Sequence, residues 1–201
     1  MGRVCLDQLS DRYMIPLAVP YVNLRPETRA ALGGEDVLYR DVSGDNSDYF
    51  WLIEGFWHRQ QGLILVEQDI VPPPGAIATL RGCDRPWCGV PYLVGVNFDC
   101  FNGCTKYDAD LMTRHPDAVD RMENTHWQSL DGQLIRYLWS KGEHAHIHWP
   151  AARHLNACGD ETRVLANCEC GGPLRFADLK AGPGETLCPR CGKHTNHFAK
   201  G

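Results

Sequence analysis

Short apolar runs alternate with amphipathic stretches along the first three-quarters of the chain. Residues 63–66 (Leu-Ile-Leu-Val) form an unbroken apolar run, the pattern of a strand buried on both faces. The run leads into Glu67 and Asp69 and then into Pro72-Pro73-Pro74, which cannot continue a strand or a helix interior. Upstream, 14–24 reads as an opening strand interrupted by Pro16 and Pro20. A short helix follows over 25–32, with Pro26 in its first turn and Gly33-Gly34 at its end, and then a strand over 37–42. A polar, capping-rich loop at 43–48 precedes an aromatic helix over 49–57, apolar on most sides and hence largely buried.

Downstream, 75–80 begins a short helix, 87–97 is extended, and 101–107 reads as a turn with polar side chains suited to lining a substrate site. Residues 108–115 are helical up to Pro116, 130–141 form an amphipathic helix ended by Gly142, and 144–149 form a last strand cut by Pro150. Strands alternating with helices predict an α/β domain over 1–157, with a mostly parallel, helix-flanked sheet. From about 164 onward the chain changes to cysteine pairs, glycines and short extended pieces, predicting a separate small module over 164–201.

The 201 residues suffice for one medium domain and a small appendage. A net charge of −5 argues against general affinity for nucleic-acid phosphates. No stretch approaches the roughly 20 apolar residues that cross a bilayer, and the first twenty residues do not resemble a signal peptide. The expected location is cytoplasmic, with no membrane partner. Ten cysteines without a secretion signal point to metal ligation or buried thiols rather than a disulfide framework.

Cys168-Glu-Cys170-Gly-Gly and Cys188-Pro-Arg-Cys191-Gly are two knuckles separated by seventeen residues. Four thiolates at this spacing predict a closed, structural Zn²⁺ site in a zinc ribbon, with His194 and His197 as substitute ligands. A module of about forty residues needs such a staple to fold. With five Lys/Arg against three Asp/Glu over 164–201, the ribbon reads as structural or partner-binding rather than nucleic-acid-binding.

In an extended segment, residues two apart point the same way. Glu67 and Asp69 are therefore expected to converge at the carboxyl end of a buried strand, where α/β sheets bind ligands. Paired carboxylates repel unless a hard cation such as Mg²⁺ or Mn²⁺ sits between them; a solvated loop is the simpler alternative. His144, His146 and His148 alternate on one strand face, as a metal site or as polar residues at a sheet edge. Alternatively, His154 completes the coordination begun by Asp69. Asp131 stands as a helix N-cap or as a general base. Cys83 and Cys88 bracket Asp-Arg-Pro-Trp, either as a disulfide or, by preference, as small buried hydrophobes.

The order of these motifs resembles glycosyltransferases of the GT-A fold, in particular the small glycosyltransferase-like proteins of actinobacterial phages. The resemblance rests on Val19-Pro-Tyr-Val22, Ile64-Leu-Val-Glu-Gln-Asp-Ile70, Pro86-Trp-Cys-Gly-Val-Pro-Tyr92, Gly103-Cys-Thr-Lys-Tyr107, Trp127-x-x-Leu-Asp131 and His146-Ile-His-Trp-Pro150 with His154. It covers about 15–156 and excludes the ribbon. Glutamate stands at 67 where aspartate is more usual, and the N-terminal half is short for this fold. The resemblance implies a nucleotide-sugar donor site with Pro20, Tyr21, Glu67 and Asp69 at the nucleotide and diphosphate. It also implies a Mn²⁺ or Mg²⁺ ion on Glu67, Asp69 and His154, and Asp131 as the base for a hydroxyl of a protein or glycan acceptor. If the chain is phage-encoded, it would act in the host cytoplasm. The rival readings are a zinc-ribbon binding or assembly protein with an inactive α/β domain, and a metal-dependent hydrolase built on the histidine row.

Overall fold

The computed structural model describes residues 15–94, 97–99, 102–123 and 125–155, and further on the strand segments 164–167, 173–175, 185–187 and 194–196. The apolar run 63–66 becomes β3 (Leu63–Val66), every residue of which is buried. Before it come β1 (Leu17–Tyr21), α1 (Pro26–Ala31), β2 (Val37–Asp41) and α2 (Asp48–His58). After it come β4 (Ile70–Val71), α3 (Ala76–Gly82), β5 (Trp87–Gly89), β6 (Tyr92–Val94), β7 (Asn97–Asp99), β8 (Cys104–Tyr107), α4 (Ala109–Arg114), α5 (Trp127–Ser140), β9 (His146–Ile147) and β10 (Arg153–His154).

Six strands form one mixed sheet in the order β2-β1-β3-β8-β5-β9. The pairs β1/β2, β1/β3 and β5/β9 are parallel, whereas β3/β8 and β5/β8 are antiparallel. The chain is therefore an α/β protein with a mostly parallel sheet flanked by helices. Alternation along β3 divides the core in two. Leu63 and Leu65 pack with Ile53, Phe56 and Trp57 of α2 and with Leu134 and Leu138 of α5. Ile64 and Val66 pack with Ile77 and Leu80 of α3 and with Leu32 at the end of α1. Both sheet faces are covered, which is why β3 tolerates no polar residue.

Two expectations are corrected. Residues 101–107 are not a polar turn throughout: Cys104–Tyr107 is β8, wholly buried between β3 and β5. Thr105 escapes the cost of burial by donating Oγ1 to the Cys88 carbonyl at 3.0 Å, and Lys106 by donating Nζ to the Cys83 carbonyl at 2.5 Å. The last strand contracts to His146–Ile147, at the exposed sheet edge.

Beyond 164 the chain forms two antiparallel pairs, β11 (Val164–Asn167) with β12 (Pro173–Arg175) and β13 (Glu185–Leu187) with β14 (His194–Asn196). Each pair brackets one cysteine knuckle in sequence. Cys168, Cys170, Cys188 and Cys191 themselves lie outside the described residues.

Candidate functional site

The first crossover carries the chain from β1 to β2 on one side, and the second returns it to β3 on the other side of β1. The carboxyl ends of β1 and β3 thus flank a topological switch point, the place where open α/β sheets leave a crevice for ligands. A cavity of about 920 Å³ opens there. Pro20, Tyr21, Glu67, Asp69, Asp131 and His154, the residues that the resemblance assigns to donor, metal and base, all line it. Asp45, Tyr49, Gln68 and Tyr92 join them, and among the described residues neither lysine nor arginine lines it.

Local hydrogen bonds explain the wall. Gln68 Oε1 accepts from the backbone N–H groups of Val22 and Asn23, both at 2.7 Å, folding the loop after β1 onto the turn after β3. Asp41, Asp45 and Asp48 side chains accept from backbone N–H groups within 41–48 and shape the loop after β2. The N–H of Trp127 donates to the Asn46 carbonyl at 3.1 Å, docking the start of α5 on that loop.

Glu67 and Asp69 reach the cavity by a different route from the extended segment expected. Ile70 N–H donates to the Glu67 carbonyl at 3.1 Å, closing a turn. β4 then pairs with β10, setting His154 opposite Ile70. This pairing brings His154 Nε2 to 3.2 Å from Asp69 Oδ2. Because 67–69 turn, the two carboxylates do not share one strand face. The donor atoms of Glu67, Asp69 and His154 do not gather within 4.8 Å of one another; among the described residues that spacing is met by Cys83, Cys88 and His148.

Asp131 is not a helix cap. α5 begins at Trp127, so Asp131 occupies its second turn. There its Oδ1 accepts from Asn102 Nδ2 at 2.5 Å, and Asn102 Oδ1 accepts from Tyr107 Oη at 2.7 Å. Burial pushes the Asp131 carboxyl up to about 6, against the opposing pull of the Asn102 hydrogen bond. Glu67 is held well above its ordinary value by burial first, then by the charges of Asp131 and Asp69, although Tyr49 Oη donates to it at 3.2 Å. Burial and the Glu67 charge raise Tyr49 in turn. The cavity is therefore a site of crowded negative charge, fit for a cation, a proton or a polyhydroxylated ligand rather than a bare anion.

Tyr92, quoted in a motif but given no role from the sequence, lies edge-on to the His154 ring at 5.3 Å between centroids. A Cβ at Gly103 would lie 2.6 Å from Tyr92 Cζ, so glycine is needed there for the ring to reach the cavity. Asn102 falls in the 101–107 segment expected to line a substrate site, but its bond to Asp131 carries no sequence signal, and Tyr49 carries none either. Of the histidine row, His146 and His148 touch edge-on at 4.7 Å, but none of the three lines the cavity. Burial, then the charges of His146 and Lys106, hold His148 below its ordinary value. Cys83 and Cys88 are not joined in a disulfide.

No protein-family model matches the chain, and neither a curated protein nor a solved structure does. Among the described residues no helix is long and apolar enough to cross a membrane. The class that fold and geometry define is an α/β protein with an acidic ligand cavity at its switch point.

Proposed function

We propose that this protein is a glycosyltransferase that moves a sugar from a nucleoside diphosphate sugar to a hydroxyl of a protein or glycan acceptor, with divalent-metal assistance. The observation that carries the reading is Asp131, a carboxylate raised to about 6 in the same cavity as Glu67 and Asp69. A general base works best with a pKa near the operating pH. Among the described residues the wall carries no lysine or arginine, so a diphosphate would need a cation to enter.

The donor set, carboxylates plus one imidazole, suits Mn²⁺ or Mg²⁺, with Glu67, Asp69 and His154 as the holding residues. When bound, the ion would supply charge neutralisation for the departing diphosphate. In the reaction, the acceptor oxygen bonds to the anomeric carbon as the bond from that carbon to the diphosphate oxygen breaks. The hydroxyl proton passes to Asp131 Oδ2, Oδ1 being occupied by Asn102. Pro20 and Tyr21, at the end of β1, would form the wall for the nucleotide. The four C-terminal cysteines would hold a structural Zn²⁺, each pair lying in sequence between two paired strands.

A binding protein with an inactive α/β domain is the second reading. It is favoured by the failure of Glu67, Asp69 and His154 to gather into a compact donor set. The two separate by activity. Release of nucleoside diphosphate from a panel of donor sugars with Mn²⁺ is expected for the parent chain and should fall roughly 10²–10⁴-fold in Asp131→Asn. Equal release from both would remove Asp131 from the chemistry.

A further inference from the structure

Three side chains that the cavity does not use converge at the opposite end of the sheet order from β2. Cys83 caps the carboxyl end of α3, Cys88 lies in β5, and His148 follows β9. The Sγ atoms of the two cysteines and a ring nitrogen of His148 all lie within 4.8 Å of one another. The fold holds them there firmly. Cys88 pairs with His146 in the β5/β9 ladder, and His148 N–H extends that ladder to the Gly89 carbonyl at 2.9 Å.

Two further observations indicate that something is bound among them. His148 Nε2 is fully buried and has no hydrogen-bond partner among the described residues, so its lone pair is open to a ligand. Lys106 stands directly opposite Cys88 in the β5/β8 register and donates Nζ to the Cys83 carbonyl at 2.5 Å, which fixes the backbone of the first cysteine beside the second. The Arg85 N–H already points at Cys83 Sγ, 3.4 Å away, as backbone donors do around ligating sulfur.

We infer that Cys83, Cys88 and His148 form a Zn²⁺ site within the α/β domain, separate from the C-terminal cysteine knuckles. Two soft thiolates and one imidazole select a thiophilic divalent ion over Mg²⁺ or Mn²⁺. Both cysteines lose their protons on binding, and the ion takes Nε2 of the neutral ring. Three protein ligands would leave a fourth tetrahedral position to water. The ion would tie α3, β5 and the segment after β9 together at the sheet edge, where β9 contributes only two residues of ladder. This inference does not rest on the proposed transferase activity.

The test uses the full chain. Elemental analysis of the parent, Cys83→Ser and His148→Ala should show each variant with one zinc equivalent per chain fewer than the parent, whatever the C-terminal cysteines hold. Because a variant that misfolds would also lose zinc, the parent is tested in parallel. Cys83 should resist iodoacetamide in the zinc-loaded protein and become alkylated after chelation, as read by peptide mapping. Zinc content equal in parent and variants, alkylation of Cys83 in the loaded protein, or a Cys83–Cys88 disulfide found by non-reducing mapping would each overturn the site.

Discussion

The Asn102 amide donates to Asp131 Oδ1 at 2.5 Å, joining the approach to β8 with the second turn of α5. Asn102 is in turn fixed by Tyr107 Oη, whose ring stacks on Trp87 at 6.0 Å between centroids. The orientation of the proposed base is therefore set from inside the core. Asn102→Ala is expected to cost about 1–3 kcal/mol, because it strands a buried carboxylate oxygen and a phenol. It should also raise the Asp131 pKa further, since the lost bond is the one that lowers it. Denaturant unfolding and a carboxyl titration by NMR check the two effects.

Asp131 also makes stability depend on pH. Its carboxyl titrates near 3.8 when unfolded and at about 6 when folded, so the folded chain binds the proton more tightly. The resulting stabilisation is complete below about pH 4 and is lost as pH rises through about 6. Asp131→Asn keeps the acceptor for Asn102 and removes the charge. The variant should match the parent below about pH 4 and exceed it by up to about 3 kcal/mol above about pH 7. Urea unfolding at both pH values measures the difference; an identical pH dependence in the two proteins would contradict it.

Glu67→Gln should likewise raise the melting temperature of the metal-free chain at neutral pH, since burial and the charges of Asp131 and Asp69 oppose its ionisation. The double variant Glu67→Gln/Asp131→Asn should gain less than the sum of the single gains, because each change relieves the same repulsion. Strict additivity in calorimetry would show that the two carboxylates do not interact.

Gly103→Ala forces a methyl group against the Tyr92 ring. The expected cost is about 1–3 kcal/mol, together with displacement of the ring from His154. Fluorescence or NMR of Tyr92 reports the movement, and wild-type stability in the variant would refute the need for glycine.

How far the sequence discloses this molecule depends on where polarity and burial agree. β3 and α2 were legible because long apolar runs coincide with burial: all four residues of β3 and Tyr49, Phe50, Ile53, Phe56 and Trp57 of α2 are buried. β8 was not, because Thr105 and Lys106 are polar yet buried, and their hydrogen-bond partners lie 17 and 23 residues away. The start of α5 was missed because Gln128 and Ser129 carry no apolar signal. The acidic pair, Asp131 and His154 could be named from residue type and order. The turn at 67–69 and the Asn102 support could not, since both depend on contacts between distant segments. Cys83, Cys88 and His148 were noticed as separate features; only the sheet brings them together.

Calorimetric titration of the full chain with nucleoside diphosphate sugars, with Mn²⁺ and then with a chelator, separates a metal-dependent donor site from its rivals. Binding is expected to require Mn²⁺ and to disappear in Asp69→Asn, with the variant still folded by circular dichroism. Nucleotide affinity that is unchanged by chelation and by Asp69→Asn would contradict such a site.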